Sequence, residues 1–173
     1  MTKKKLRIAL AGNANVGKSL TGESEVPIQR KGRWEIARLR DIVEHTLASQ
    51  PSARLGDSEI STPNSLFVVS LDPETMRAVK AKVSKVLRHR ETRRLVRVRT
   101  RSGRVVTATR DHNFIVMLNG ELRVVEGEHL SPGDRIPILE ETPPIPERIS
   151  STKISWDVVE RIEEVNPKGE YVY

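Results

Sequence analysis

The stretch Gly12-Asn13-Ala14-Asn15-Val16-Gly17-Lys18-Ser19 satisfies G-x-x-x-x-G-K-[ST] without a mismatch. In such a loop, backbone N–H groups curl around phosphate oxygens, the lysine reaches the terminal phosphates, and the hydroxyl ligates magnesium. Gly12, Asn13, Asn15, Gly17 and Lys18 are thus candidate nucleotide-binding residues. The apolar run Leu6-Arg7-Ile8-Ala9-Leu10-Ala11 supplies the strand such a loop follows. The sequel departs from the pattern. A helix should start near Lys18 with its N-terminus aimed at the phosphate, yet Gly22 and Pro27 interrupt the next turns. Asp-x-x-Gly after a strand and Asn-Lys-x-Asp are both absent. A nucleotide-binding domain begins and is abandoned at Ser19. Further on, Thr109-Arg-Asp111-His112 places a hydroxyl and an imidazole three residues apart at the end of an alternating apolar segment. Such a pair is common and by itself carries no chemistry.

The elements that must position these groups read as mainly β. Val96, Val98 and Thr100 alternate with Arg97, Arg99 and Arg101, the period of a half-buried strand. Val105–Thr109, Phe114–Leu118, Leu122–Val125, Arg135–Ile138 and Trp156–Val165 read as further strands, and Asn119-Gly120 as a hairpin turn. Glu25–Gln29 and Leu66–Leu71 are strands, and Lys31-Gly32 and Asp72-Pro73 are turns. Ile36, Leu39, Ile42, Val43 and Leu47 predict one short amphipathic helix. Gln50–Asn64 reads as a loop, and Thr142–Pro146 as a stiff connector. Ala78–His89 fits a helix by spacing but sits among strands. Glu170–Tyr173 starts a last strand.

Composition sets outer limits. A chain of 173 residues is one ordinary domain. The absence of cysteine excludes disulfides, thiolate metal sites and a cysteine nucleophile. No apolar run is long enough to span a membrane. No metal cluster is visible, and His45, His89 and His129 sit in polar surroundings and are expected to be solvated. The net charge is +7, and thirteen Lys or Arg against one acid, Glu91, lie between Arg77 and Arg110. From Glu140 onward, eight acids outnumber four bases. A basic stretch favours nucleic acid, but it holds no aromatic on which bases would stack. A solvated face of paired strands, balanced by the acidic end, is expected instead.

Four segments, in order, resemble the conserved blocks of inteins. Ser19-Leu-Thr-Gly-Glu-Ser-Glu-Val26 resembles the opening block. Gly103 through Val116, containing Thr109-x-x-His112, resembles the Thr-x-x-His block. Gly127 through Ile136, with Gly133-Asp134, resembles the L-x-x-G-D-x-I segment. Trp156–Val165 and Glu170–Tyr173 resemble the approach to the C-terminal blocks. Residues 1–18 resemble the start of the GTPase domain of ferrous-iron transporters of the B type. The resemblance implies an N-extein at 1–18 and an all-β, horseshoe-like Hint domain at 19–173. The Thr109–His112 pair should then converge on Ser19.

The chemistry so implied is protein splicing. The Ser19 hydroxyl attacks the Lys18 carbonyl, an N-to-O acyl shift that makes Lys18–Ser19 the scissile bond. A serine hydroxyl needs a nearby base and a distorted amide. The resemblance implies that His112 protonates the departing nitrogen and Thr109 holds the scissile peptide; Asp111, next to His112, could orient it but is not counted among the catalytic residues. Inteins end in His-Asn before a Cys, Ser or Thr acceptor. The sequence reaches Tyr173 where that block would follow, so the expectation is either the N-terminal half of a split intein or a truncated gene; in the first case the partner is a C-terminal intein fragment with its C-extein. The short interval between His112 and Trp156 leaves no room for a homing endonuclease, so a mini-intein is expected. Splicing would need no cofactor or metal. GTP and magnesium would serve only the reassembled host loop. Cytoplasmic location, with no nucleic-acid or membrane partner, completes the expectation. The competing readings are a fragment of a P-loop GTP-binding protein and a basic nucleic-acid-binding β-module.

Overall fold

The computed structural model describes residues 19–139, 154–167 and 171–173. In chain order the elements are β1 (Glu25–Arg30), β2 (Arg33–Arg38), α1 (Leu39–Ser49), β3 (Ser52–Leu55) and β4 (Ser58–Ser61). There follow β5 (Leu66–Asp72), β6 (Arg77–Lys82), β7 (Val86–Arg90), β8 (Leu95–Thr100), β9 (Val105–Thr109), β10 (Asn113–Leu118) and β11 (Glu121–Glu126). A 3-10 turn at Gly127–His129 leads to β12 (Arg135–Leu139), β13 (Ile154–Val165) and β14 (Tyr171–Val172). The strands form sheets of order β2-β1-β5-β6, β12-β13-β8-β9 and β14-β7-β4-β3, with β10-β11 as a separate hairpin. Among the described residues the architecture is mainly β with one α-helix, as expected.

Alternation explains the best-read strands. Val96, Val98 and Thr100 are buried on β8, and Arg97 and Arg99 are exposed. Val96 and Val98 join Val106, Ala108, Phe114, Val116, Ile136, Ile138 and Val159 in the largest core, to which Leu20 also contributes. A second core forms where Ile42 and Val43 of α1 meet Val26, Ile28, Leu66 and Val86. Turn chemistry sets the hairpin registers. Asn119 and Gly120 both take positive φ (51° and 82°) between the facing residues Leu118 and Glu121. Lys31 and Gly32 do the same (50° and 78°) between Arg30 and Arg33. Two left-handed residues match the twist of the flanking strands.

Three expectations are corrected. The helix begins at Leu39, not near Ile36, because the Lys31-Gly32 turn folds 33–38 back along β1 through six cross-strand pairs. Asp41 lies in its first turn, and Pro51 follows its end. The region read as a loop at Gln50–Asn64 contains the β3–β4 hairpin. Every β3 residue is exposed, so no apolar alternation marks it; β4 is held by pairing with β7 and by the Arg88–Glu59 ion pair at 2.8 Å. The ambiguous segment 78–89 is two strands: β6 pairs antiparallel with the preceding β5, and β7 with β4. The expected Leu6–Ala11 strand, the phosphate loop and the Thr142–Pro146 connector lie outside the described residues.

The basic stretch is balanced across β8 and β13, as expected. Arg94 pairs with Glu164 (2.9 Å), Arg99 with Glu160 (3.5 Å) and Arg110 with Glu164 (3.4 Å). These pairs are exposed and worth little individually. Glu91 differs: it is buried and accepts from the Thr92 and Arg93 amides (2.9 and 2.8 Å) and from the Arg93 guanidinium (2.9 Å). The bond from Arg93, aided by those amides, holds its carboxyl below the usual 4.5. A depressed carboxylate stabilises the fold above its unfolded value and loses that contribution as pH falls through the folded one. Urea melts should therefore show stability falling below about pH 4.5. In Glu91→Gln the fall should be shallower, and stability at neutral pH lower by about 1–3 kcal/mol.

Candidate functional site

Residues 19–21 run extended between β9 and β14, and both edges of this short segment are hydrogen-bonded. Toward β9, the Thr109 amide donates to the Ser19 carbonyl (2.9 Å) and the Thr21 amide to the Thr107 carbonyl (3.0 Å). Toward β14, the Leu20 amide donates to the Tyr173 carbonyl (2.8 Å) and the Tyr173 amide to the Leu20 carbonyl (2.9 Å). Isolated bridges pair Leu20 with Ala108 and Thr21 with Val172. The segment thus joins the sheet ending in β9 to the one ending in β14.

Ser19 is 1 % exposed and Thr109 is equally buried. The Thr109 hydroxyl straddles Ser19: it accepts from the Ser19 amide (3.1 Å) and donates to the Ser19 carbonyl (3.3 Å). These residues are 90 apart in sequence. The Ser19 hydroxyl lies 3.1 Å from Nε2 of His89. Beyond β9 the chain turns through Arg110 and Asp111 to His112, whose amide donates to the Thr109 carbonyl (3.1 Å). The His112 ring is buried and meets Phe114 edge to face at 5.0 Å between centroids. The Gly127 amide donates to the His112 carbonyl (2.8 Å) and closes this turn.

The surrounding elements hold that geometry. Asp157 on β13 accepts from the Ser102 hydroxyl and fixes the turn from β8 into β9. Burial pushes the Asp157 carboxyl up, but hydrogen bonds from Ser102 and Thr100 outweigh it, and the net value lies below 3.8. Tyr173 donates through its hydroxyl to Glu44 of α1 (2.9 Å). Burial first, and this bond second, raise the phenol to about 12.

Chemically, this is a serine whose amide nitrogen and carbonyl are clamped by one threonine and whose hydroxyl faces an imidazole. A hydroxyl beside an imidazole can serve as a nucleophile toward an acyl group.

The solved structures decide the fold. The chain overlays the crystal structure of the PabCDC21-1 intein with a TM-score of 0.76 at 27% identity, over 90% of this chain and 87% of that one. It overlays the crystal structure of an intein from a hyperthermophile with a TM-score of 0.79 at 20% identity, over 90% and 88%. The fold is the Hint fold of inteins. No protein-family model matches the chain. Among curated proteins it is 27% identical over 133 residues to the DNA-directed RNA polymerase subunit Rpo1C of Methanocaldococcus jannaschii. It is 33% identical over 121 residues to the DNA polymerase II large subunit of Methanoculleus marisnigri. It spans only 15% and 9% of the length of these relatives.

Within this intein fold, Ser19 and Thr109 meet directly, and His112 follows on the turn that Thr109 begins. Lys18 and the host-loop residues Gly12, Asn13, Asn15 and Gly17 lie outside the described residues. Asp111 reaches toward Arg93 (3.8 Å). His89 corrects the reading in part: it is half-buried, and its Nε2 faces the Ser19 hydroxyl. The strand that carries it was ambiguous in sequence, and its register beside Val172 brings it to the site. Glu126, Glu128 and His129 come within 4.8 Å of one another although no metal cluster was visible in sequence. All three are exposed, and Glu128 already pairs with Arg110 (2.8 Å).

Removing the straddling hydroxyl in Thr109→Val leaves the buried Ser19 amide without that acceptor. Denaturant melts should show a loss of about 1–3 kcal/mol, with Thr109→Ser close to the parent. At Gly127, a Cβ would lie 2.7 Å from Val96 Cγ2 and 3.2 Å from the Arg110 carbonyl. Gly127→Ala should lower the melting temperature and shift the His112 and Phe114 resonances in NMR spectra.

Proposed function

We propose that the chain is a protein-splicing element whose first step occurs at Lys18–Ser19. The carrying observation is the buried Ser19, its peptide clamped by Thr109, inside an intein fold. The Ser19 hydroxyl attacks the Lys18 carbonyl carbon. As the C–N bond breaks, the Ser19 nitrogen takes a proton from His112, and Lys18 is left as an ester on Ser19 Oγ. Thr109 keeps the peptide unit in place during attack. The relatives support an inserted element. An RNA polymerase subunit and a DNA polymerase subunit are different proteins, yet each matches this chain over a small part of its length.

Completion requires a segment with a terminal Asn, which cyclises, and an acceptor hydroxyl or thiol, which receives the acyl group. This segment is a C-terminal intein fragment with its C-extein, supplied in continuation of the chain or separately. The antiparallel register at Leu20–Tyr173 directs residues following Tyr173 past Ser19, which favours this docking. The joined host would restore a phosphate loop through Gly12, Asn13, Asn15, Gly17 and Lys18, resembling that of a ferrous-iron transporter of the B type. GTP and magnesium belong to that product; the splicing step itself needs no cofactor. Among the described residues, no helix is long and apolar enough to cross a membrane.

Mixing the chain with such a fragment should yield a ligated host product, detected by mass spectrometry. Ser19→Ala should abolish both ligation and N-terminal cleavage. His112→Ala should slow both by about 10²–10⁴, the usual effect of losing general acid–base help. Undiminished ligation in Ser19→Ala would assign the acyl shift to another residue.

A further inference from the structure

We propose that His89 is the general base that takes the proton from the Ser19 hydroxyl, an inference that rests on the splicing reading above. Two proton movements are needed at Ser19, and they run in opposite directions at different atoms. The hydroxyl must lose a proton while the amide nitrogen gains one. The two nitrogens of one imidazole point away from each other, so a single ring cannot serve both the hydroxyl and the amide nitrogen of one serine at once. His112 serves the nitrogen, and the structure supplies a second imidazole at the oxygen.

The geometry assigns its state. His89 Nδ1 lies 3.2 Å from the Arg90 carbonyl, which can only accept. In the neutral ring Nδ1 therefore carries the proton, and Nε2 presents its lone pair. That lone pair is 3.1 Å from Ser19 Oγ, within the reach required of a general base. The ring is held by the backbone as well. His89 pairs with Ser58 of β4 on one side and with Val172 of β14 on the other. Val172 in turn bridges Thr21, two residues from the nucleophile. A catalytic group on an inner strand keeps its orientation better than one on a loop.

The step balances. The Oγ–H proton passes to Nε2 as Oγ bonds to the Lys18 carbonyl carbon. The C–N bond then breaks, and the Ser19 nitrogen receives its proton from His112. The chain is isomerised from amide to ester, His89 ends protonated and His112 deprotonated, and no external reagent is consumed.

The test uses the full chain and the rate of hydroxylamine cleavage at Lys18–Ser19. His89→Ala and His89→Gln should each slow cleavage by about 10²–10⁴. In a Ser19→Cys background the same substitutions should cost less than about tenfold, since a thiol ionises near pH 8.5 and depends less on a base. Added imidazole should restore part of the rate in His89→Ala. ¹⁵N spectra of the parent should show His89 with a protonated Nδ1 and a bare Nε2, a readout that survives if the Ala variant fails to fold. Equal slowing with serine and cysteine, no slowing at all, or a protonated Nε2 in the neutral ring would each overturn the role of His89. A folded parent with no hydroxylamine-sensitive bond would overturn the acyl shift itself, and is distinguishable because the parent rate is read first.

Discussion

A buried peptide segment must satisfy its own N–H and C=O groups, and residues 19–21 do so on both edges at once. β9 takes one edge and Tyr173 beside β14 the other. This two-sided pairing fixes the Ser19 backbone without committing its side chain. The Ser19 backbone is held by the Thr109 amide and hydroxyl, which leaves Oγ to face His89. Were the segment on a free edge, the hydroxyl would sample many positions, and reaction geometry would be lost to entropy.

The rest of the fold keeps β9 and β14 where that pairing needs them. Leu20 lies in the same core as Val96, Val106 and Ala108, so the site is anchored by apolar burial as well as by the ladder. On the opposite side, the Tyr173 hydroxyl reaches Glu44 of α1, and Arg88 beside His89 also pairs with Glu44. The helix, β7 and β14 are thus tied through one carboxylate. β13 serves the other side: its acids face the arginines of β8, and its Asp157 pins the turn into β9.

How much of this was legible depended on whether the signal was local. The valines of β8 alternate with arginines, and Asn119-Gly120 sets its own turn, so both could be read directly. β3 has no apolar alternation because both its faces are wet, and the segment that folds as β6 and β7 reads ambiguously because Val79, Val83, Val86 and Leu87 happen to match a helical spacing. Ile36 suited a helix until a two-residue turn, a competing local preference, drew it into β2. The approach of Ser19 to Thr109 spans 90 residues and has no periodic signature. It was read through resemblance to intein blocks, not from spacing. His89 lies outside those blocks, and only the register of β7 against β14 reveals it.

The central claim is that the Ser19 hydroxyl exchanges the Lys18–Ser19 amide for an ester. The most direct measurement is tandem mass spectrometry of the folded chain after hydroxylamine treatment. The expected result is one new N-terminal fragment, residues 1–18, carrying a hydroxamate on the Lys18 carboxyl group and absent from Ser19→Ala. An intact chain, or a hydroxamate at any residue other than Lys18, would contradict it.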